Sequence, residues 1–374
     1  MNSATEARRA ANQAPPLFSI CIPQYNRTSF LMEACRSLGA QTFRDFEICI
    51  SDDCSTDGRE QELVSLLSEL GVEYVYRRNE RNLRYDGNLR SAIQLSHGIY
   101  CFLLGNDDCL TDPDVLLRLA GLLQRTGEVG VAITNYTDFT TGVVTKRFGA
   151  TGIAGQGPSA AVNTYRNFSF ISGVILHGPS ARALETDRWD GSEMYQTYLG
   201  CRILAAGGRL LGVEDAAIRK DIRLPGESVD SYARRPRLDP CPIVERRLNL
   251  DAINRLVADA LAPYVIPRQR GSYVLRVALQ TVLFTYPFWL FEYRRVQSWR
   301  YALGVCLGMR PRYLLRDLQL NPARAAAVVL AYLAASASGL LLPIRLFSVA
   351  YRPLHLLAKR TRFIRLSLRQ SSLP

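Results

Sequence analysis

The sequence predicts an α/β fold, a mostly parallel β-sheet flanked by helices, followed by a helical region of different character. Three observations predict it. Short apolar runs alternate with helix-length stretches from Leu17 to about residue 140, the sign of strands joined by crossover helices. Three of those runs end in clusters of acids and amides. After about Pro240 the alternation stops, and long apolar stretches set among arginines take over.

"LFSICIP" (17–23) reads as the first strand, followed by a helix over roughly Ser29 to Gly39. "FEICIS" (46–51) is the second strand, and "EQELVSLLSELG" a helix ending at Gly71, a residue suited to a left-handed C-terminal cap. "VEYVYRR" (72–78) is a third strand, "GNLRSAIQLSHG" (87–98) a helix and "IYCFLL" (99–104) a fourth strand. In "DPDVLLRLAGLLQRTG" (112–127) Pro113 stands near a helix start, where its missing N–H does no harm. "VGVAITNYTDF" (129–139) is a fifth strand. The stretch 140–185 is rich in Gly, Ser and Thr and yields no firm element; a helix near 193–208 and the strand "RLLGVED" follow, and 219–240 reads as a connection. Three parts result: a loose arm (1–16) without the apolar core of a secretory leader, an α/β domain (17–240) and a basic, hydrophobic helical region (241–374).

The 374 residues are 48% hydrophobic with a formal net charge of +12, and the charge is lopsided: residues 241–374 hold 20 Lys+Arg against 5 Asp+Glu. Such an excess on an apolar tail points to a polyanionic surface. The arginines of 345–369 are interleaved with Leu, Phe and Ile and form no nucleic-acid reader motif, so nucleic acid is set aside in favour of an anionic membrane surface. "AAAVVLAYLAASASGLLLPI" (325–344) is 20 residues without a charge, long enough to cross a bilayer. A crossing from a cytoplasmic catalytic part would carry Arg345, Arg352, Lys359, Arg360, Arg362, Arg365 and Arg369 to the far side, against the usual bias. An in-plane or re-entrant arrangement is therefore favoured over a crossing or a buried soluble helix. Nine scattered cysteines without a Cys-x-x-Cys pair read as reduced and structural, consistent with the cytoplasm. His97 and His177 read as structural, and "GQGPSA" (155–160) is no dinucleotide fingerprint, because no strand precedes it.

In an open parallel sheet, ligands bind beyond the carboxyl ends of the strands. "PQYNRTS" follows the first strand, "SDDCSTDG" the second and "GNDDCL" the fourth. Adjacent carboxylates repel unless a cation neutralises them. Asp107 and Asp108, with the oxygen of Asn106 beside them, suit Mg²⁺ or Mn²⁺, which accept carboxylates together with phosphate oxygens and water; the plainer reading is a turn and capping cluster. Asp52 and Asp53 can accept bonds from a base or ribose, or can cap the next helix with Ser55 and Asp57. Tyr25 can stack on a base while Arg27 faces phosphate.

Taken together, "SICIPQYNRTSFLMEACRSLGAQTFRDFEICISDDCSTDG" and "GIYCFLLGNDD" resemble the family-2 glycosyltransferases of GT-A fold over about residues 17–140. "NLRYDGNLRSAIQLSHGIYCFLLGNDD" is similar to the branch holding abequosyltransferases and related O-antigen enzymes. The resemblance implies a GT-A, Rossmann-like domain and an inverting transferase. It would take a nucleotide-diphosphate sugar donor, a divalent metal and a saccharide acceptor, the last expected to be lipid-linked at the cytoplasmic face of the inner membrane. It places Pro23, Tyr25, Asn26, Arg27, Asp52, Asp53, Asn106 and Asp107 at the nucleotide sugar, with Asn82, Asp86 and Asn88 lining the sugar pocket. Asp107 and Asp108 would bind the metal. Asn106 stands where many members have Asp, one anionic ligand fewer. The family's base precedes a helix ending in glycine; "WDGSEMYQTYLGCRILAAGG" occupies that place, with Glu193 the first choice for base and Asp190 the second. The alternative is a nucleotide-sugar-binding or scaffolding protein without catalysis.

Overall fold

The computed structural model of the protein describes residues 5–7, 14–227, 243–247, 250–347 and 349. They fall in two compact units, one drawn from within 1–160 and 164–229 and the other from 161–163 and within 230–362.

The first unit is built on one sheet. Its elements are β1 (Thr5–Ala7), β2 (Phe18–Gln24), α1 (Thr28–Gly39), β3 (Phe46–Asp52), α2 (Glu60–Glu69), β4 (Glu73–Arg78), α3 (Arg84–Gln94), β5 (Tyr100–Leu103), β6 (Cys109–Leu110) and α4 (Val115–Thr126). There follow β7 (Val131–Asp138), β8 (Val144–Thr145), β9 (Gly152–Gln156), α5 (Gly157–Thr164), β10 (Val174–His177), α6 (Gly178–Ala183), α7 (Tyr195–Ala205) and β11 (Arg209–Lys220). The sheet runs β1-β4-β3-β2-β5-β10-β7-β11-β6, with β8 on β7 and β9 on β11. β4, β3, β2 and β5 are mutually parallel. β2 and β3 are buried almost throughout, as strands covered by helices on both faces must be, and this is why they read as unbroken apolar runs.

Beyond β5 the sheet is mixed, not parallel. β10 lies antiparallel between β5 and β7, and β6 and β9 lie antiparallel to β11. The four-residue β10 hides in the Gly- and Ser-rich stretch, too short for periodicity to reveal. The expected loose arm also contributes: Thr5–Ala7 pairs antiparallel with the edge strand β4, whose free N–H and C=O groups template it. The rest of the arm up to residue 13 lies outside the described residues, as do 228–242 of the connection and the basic segment from 350 onward. α3 starts and ends earlier than the sequence suggests. Asp53 caps its start by accepting the Leu83 N–H at 2.6 Å. After its end, Glu47 and Ser19 bind the N–H groups of His97 and Gly98 into a turn.

Gly200, inside the buried helix α7, faces the Phe168 ring so closely that a Cβ would overlap it. Gly200→Ala is expected to destabilise the unit by about 1–3 kcal/mol through overpacking, read as a lowered denaturation midpoint at unchanged slope.

The second unit is helical: α8 (Leu250–Leu261), α9 (Pro267–Phe284), α10 (Tyr286–Val296), α11 (Trp299–Gly308), α12 (Pro311–Leu314) and α13 (Pro322–Leu341). Pro287 in the first turn of α10 breaks the long apolar stretch after Phe284, since proline lacks the N–H a continuous helix would need. Its core joins Val274, Ala278, Tyr286, Leu290, Val305 and Tyr332. Pro267–Val296 and Pro322–Leu341 are long and apolar enough to cross a membrane by length and composition.

Candidate functional site

The order β4-β3-β2-β5 brings the turns after β2, β3 and β5 to one edge of the sheet. Six non-glycine residues of the first unit have left-handed backbone: Asn26, Arg27, Cys54, Arg84, Glu193 and Asp221, with φ between 51° and 62°. All six lie in turns along this edge or hydrogen-bonded to it. Such conformations cost free energy and persist where surrounding bonds over-determine them.

Those bonds centre on Gln24, a residue sequence reasoning passed over. Its Nε2 donates to the Asn26 carbonyl at 2.7 Å and to Thr28 Oγ1 at 3.1 Å. Its Oε1 accepts from Asn106 Nδ2 at 2.7 Å. Its backbone carbonyl accepts the Asp53 N–H and Asn88 Nδ2. Asn106 and Asn88 thus spend their amides on joining the three turns. Asn26 does likewise, receiving the Thr56 N–H on Oδ1 and giving its own N–H to Ser55.

At the end of β3 the two acids differ. Asp52 accepts the Ser55 N–H on one oxygen and the Tyr76 hydroxyl on the other. Asp53 accepts the Leu83 N–H and Asn79 Nδ2 on Oδ1, and Asn82 anchors to the Asp53 carbonyl. Burial raises the Asp53 carboxyl, and the Leu83 N–H opposes that rise. Pro23 sits within β2 beside Ser51 of β3, and Tyr25 is 48% exposed at the edge.

After β5, Asp108 is 2% exposed. It accepts from Ser172 Oγ at 2.5 Å and from the Asp221 N–H at 3.0 Å. Burial pushes its carboxyl up to about 7, and the neighbouring Asp107 adds to this. Asp107 is more open and pairs with Arg27 at 2.7 Å, while the Arg27 guanidinium covers the Phe30 ring. Gly105 shows how the acids converge: a Cβ there would lie 3.0 Å from Asp108 Oδ2 and 3.3 Å from Asp107 Oδ1. Both carboxylates thus point at one spot, which a side chain at position 105 would crowd. No group of three or more His, Cys, Asp or Glu gathers among the described residues. Two converging carboxylates have the donor chemistry of a hard divalent ion that takes its other ligands from phosphate and water.

Neither Ser172 nor what holds it leaves a signal in the sequence. Arg147, 5% exposed, donates to the carbonyls of Thr134, Phe170 and Ser172 and lies over the rings of Tyr136 and Phe170. Burial pushes the guanidinium down to about 10. Arg147 fixes the backbone from which Ser172 reaches Asp108; these contacts span dozens of residues and leave no local pattern.

Asp86, read from sequence as lining a sugar pocket, turns instead to the backbone. Its oxygens accept the N–H groups of Glu193 at 2.8 Å and Tyr195 at 3.0 Å, satisfying the start of α7. Burial raises its carboxyl against the pull of those N–H groups. This bond pins Glu193 in its left-handed conformation, with the residue exposed. Asp190, by contrast, forms a two-pronged pair with Arg90 at 2.5 and 2.8 Å. Of the two acids, Glu193 is the more available to take a proton.

Residues 19–175 match the model of Glycosyl transferase family 2. Over 103 residues the chain is 43% identical to the abequosyltransferase RfbV of Salmonella typhimurium, covering 27% of this chain and 31% of that protein. Over 110 residues it is 32% identical to a PGL/p-HBAD biosynthesis glycosyltransferase of Mycobacterium bovis, covering 29% of this chain and 43% of that one. The alignments thus span less than half the length of these relatives. Among solved structures, S. aureus TarS 1–349 in complex with UDP-GlcNAc superposes with a TM-score of 0.59 at 17% identity, over 90% of this chain and 91% of that one. That likeness shows a shared GT-A architecture.

Proposed function

We propose, from the premise that the chain carries a Glycosyl transferase family 2 domain at residues 19–175, that it moves a sugar from a nucleotide-diphosphate sugar to a saccharide hydroxyl with inversion. The observation that carries this reading is the convergence of Asp107 and Asp108 over Gly105, beside Arg27. Support also comes from the relatives, two of them named as glycosyltransferases, and from the shared fold of TarS, whose structure holds UDP-GlcNAc.

The exposed Tyr25 ring stacks on the base, and Asp53, whose Oδ1 holds the start of α3, faces the base or ribose. Asp107 and Asp108 would hold the Mg²⁺ or Mn²⁺ that, when bound, offsets negative charge growing on the leaving diphosphate. Arg27 exchanges its bond to Asp107 for one to a phosphate oxygen. Glu193 takes the acceptor proton as the acceptor oxygen bonds to the anomeric carbon and the bond to the diphosphate breaks on the opposite side. The acceptor is a lipid-linked saccharide of cell-surface polysaccharide synthesis, reached at the cytoplasmic face of the inner membrane; the basic excess of residues 241–374 supports that location.

Turnover of a panel of nucleotide sugars with Mg²⁺ or Mn²⁺ tests the reading, and no transfer from any donor would leave only a binding protein. Glu193→Gln keeps the shape and removes the base. It is expected to lower kcat by about 10²–10⁴-fold with the donor KM unchanged. An equal loss in Asp190→Asn alone would move the base to Asp190.

A further inference from the structure

We propose that the outward face of α13 is a docking surface for an anionic lipid bilayer, with the helix lying in the plane of the interface. This stands on the helical unit alone and does not depend on the transfer reaction.

α13 presents two faces. The inner one is packed: Tyr332 stacks on Tyr286 at 5.9 Å, the Tyr286 hydroxyl meets Ser336 Oγ at 2.9 Å, and Gly339 lets Leu290 approach closely. The outer one has no covering among the described residues. Ala326, Leu330, Leu333, Ala334, Ala337 and Leu341 recur at three- and four-residue spacing, all exposed, with Leu330 at 67% and Leu341 at 73%. No charge interrupts this stripe; Arg324, in the first turn, is turned to Ser272. A water-facing helix would carry charged residues there, and a contiguous apolar face of this length marks an interaction site.

The occupant is argued from charge and from the end of the helix. From Leu318 to Pro374 the sequence has eight Lys+Arg and no Asp or Glu. Like charges of this density would repel across a two-fold contact with a second copy, whereas anionic headgroups attract them. Most C-terminal carbonyls of α13, which usually need water, are already satisfied: Arg294 donates to Gly339 and Leu342 at 2.8 Å each, and Trp299 Nε1 donates to Leu340 at 3.2 Å. That end can enter a water-poor layer with few polar groups bare. Trp299, 45% exposed, sits beside it, an amphipathic ring suited to headgroup level.

The structure also speaks against a crossing. α13 packs lengthwise on α9 and α10 as one layer of the unit. Arg276, mid-helix in α9, is exposed, as is Arg295 near the end of α10. A crossing would bury such charges in hydrocarbon or strip α13 of its bonded partners. Docking by the outer face does neither.

The test is co-flotation of the full-length protein with phosphatidylcholine vesicles, with and without phosphatidylglycerol. The protein is expected to float with the anionic vesicles and to be released as salt rises. Leu330→Glu combined with Leu333→Glu is expected to lower the bound fraction about tenfold, with thermal unfolding and elution volume unchanged; the paired alanine variant should fall between. Three results would overturn the proposal. The Glu variant floating like wild type would move binding elsewhere, as to segment 350–374. A dimer dissociated by the substitutions, without vesicle binding, would make the face a contact between copies. Resistance of the wild type to alkaline extraction from cell membranes would mean a crossing. Loss of transfer activity alone leaves the proposal standing.

Discussion

Asp108→Asn is expected to reduce sugar transfer by about 10³-fold or more while leaving the protein folded. The carboxylate faces the same space as Asp107 Oδ1 over Gly105, and losing one of the two proposed anionic ligands would weaken the hold on the divalent ion whose positive charge offsets that of the leaving diphosphate, an effect of several kcal/mol. The shape is retained. The amide oxygen can accept the Asp221 N–H while the amide N–H₂ donates to Ser172 Oγ, so neither partner of the native carboxylate is left bare. Initial rates at saturating donor, and metal affinity by titration calorimetry, check this. Near-normal turnover would remove Asp108 from the metal site and with it the central support for the proposed reaction.

The same substitution is expected to stabilise the metal-free protein above neutrality. Burial holds the Asp108 carboxyl at about 7, against about 4 in the unfolded chain. Between these values the folded state binds the proton and the unfolded state does not. Asp108 therefore contributes stability that is fully present below about pH 4 and is lost as pH rises through about 7. The loss is about 4 kcal/mol, and an uncharged Asn does not suffer it. Denaturation in chelator should show the variant more stable than wild type at pH 8, with the gap closing towards pH 4. Parallel stability curves would mean that Asp108 is not a strained buried acid. A substitution that stabilises and inactivates together is the mark of a site kept at the expense of the fold.

What the sequence made legible was local. The apolar runs of β2, β3 and β5 declare themselves because both faces of those strands are covered, and the acids at their ends stand out because like charges seldom sit together without reason. The proposed metal pair Asp107 and Asp108, Tyr25 as a candidate for stacking and the acid before α7 could all be nominated from spacing and resemblance. β10 could not, because four residues carry too little periodicity, and with it went the mixed character of the sheet. The backbone partners of Asp86 were hidden for a related reason: the N–H groups it binds lie more than a hundred residues along the chain.

By itself, then, the sequence determined that the long apolar runs of β2, β3, β4, β5 and β7 become strands, which turns carry carboxylates and where the basic apolar tail begins, since each depends on neighbours a few residues apart. Only the tertiary structure decided how those carboxylates are divided. Asp52, Asp86 and Asp190 bind partners within the scaffold, Asp107 and Asp108 converge over Gly105, and among the described residues α13 keeps one face packed and one uncovered. The physical reason is that a charge takes its character from what surrounds it in space: the Ser172 hydroxyl, the Arg147 hub behind it and the Arg90 fork on Asp190 all arrive from distant parts of the chain, and no periodicity records their arrival.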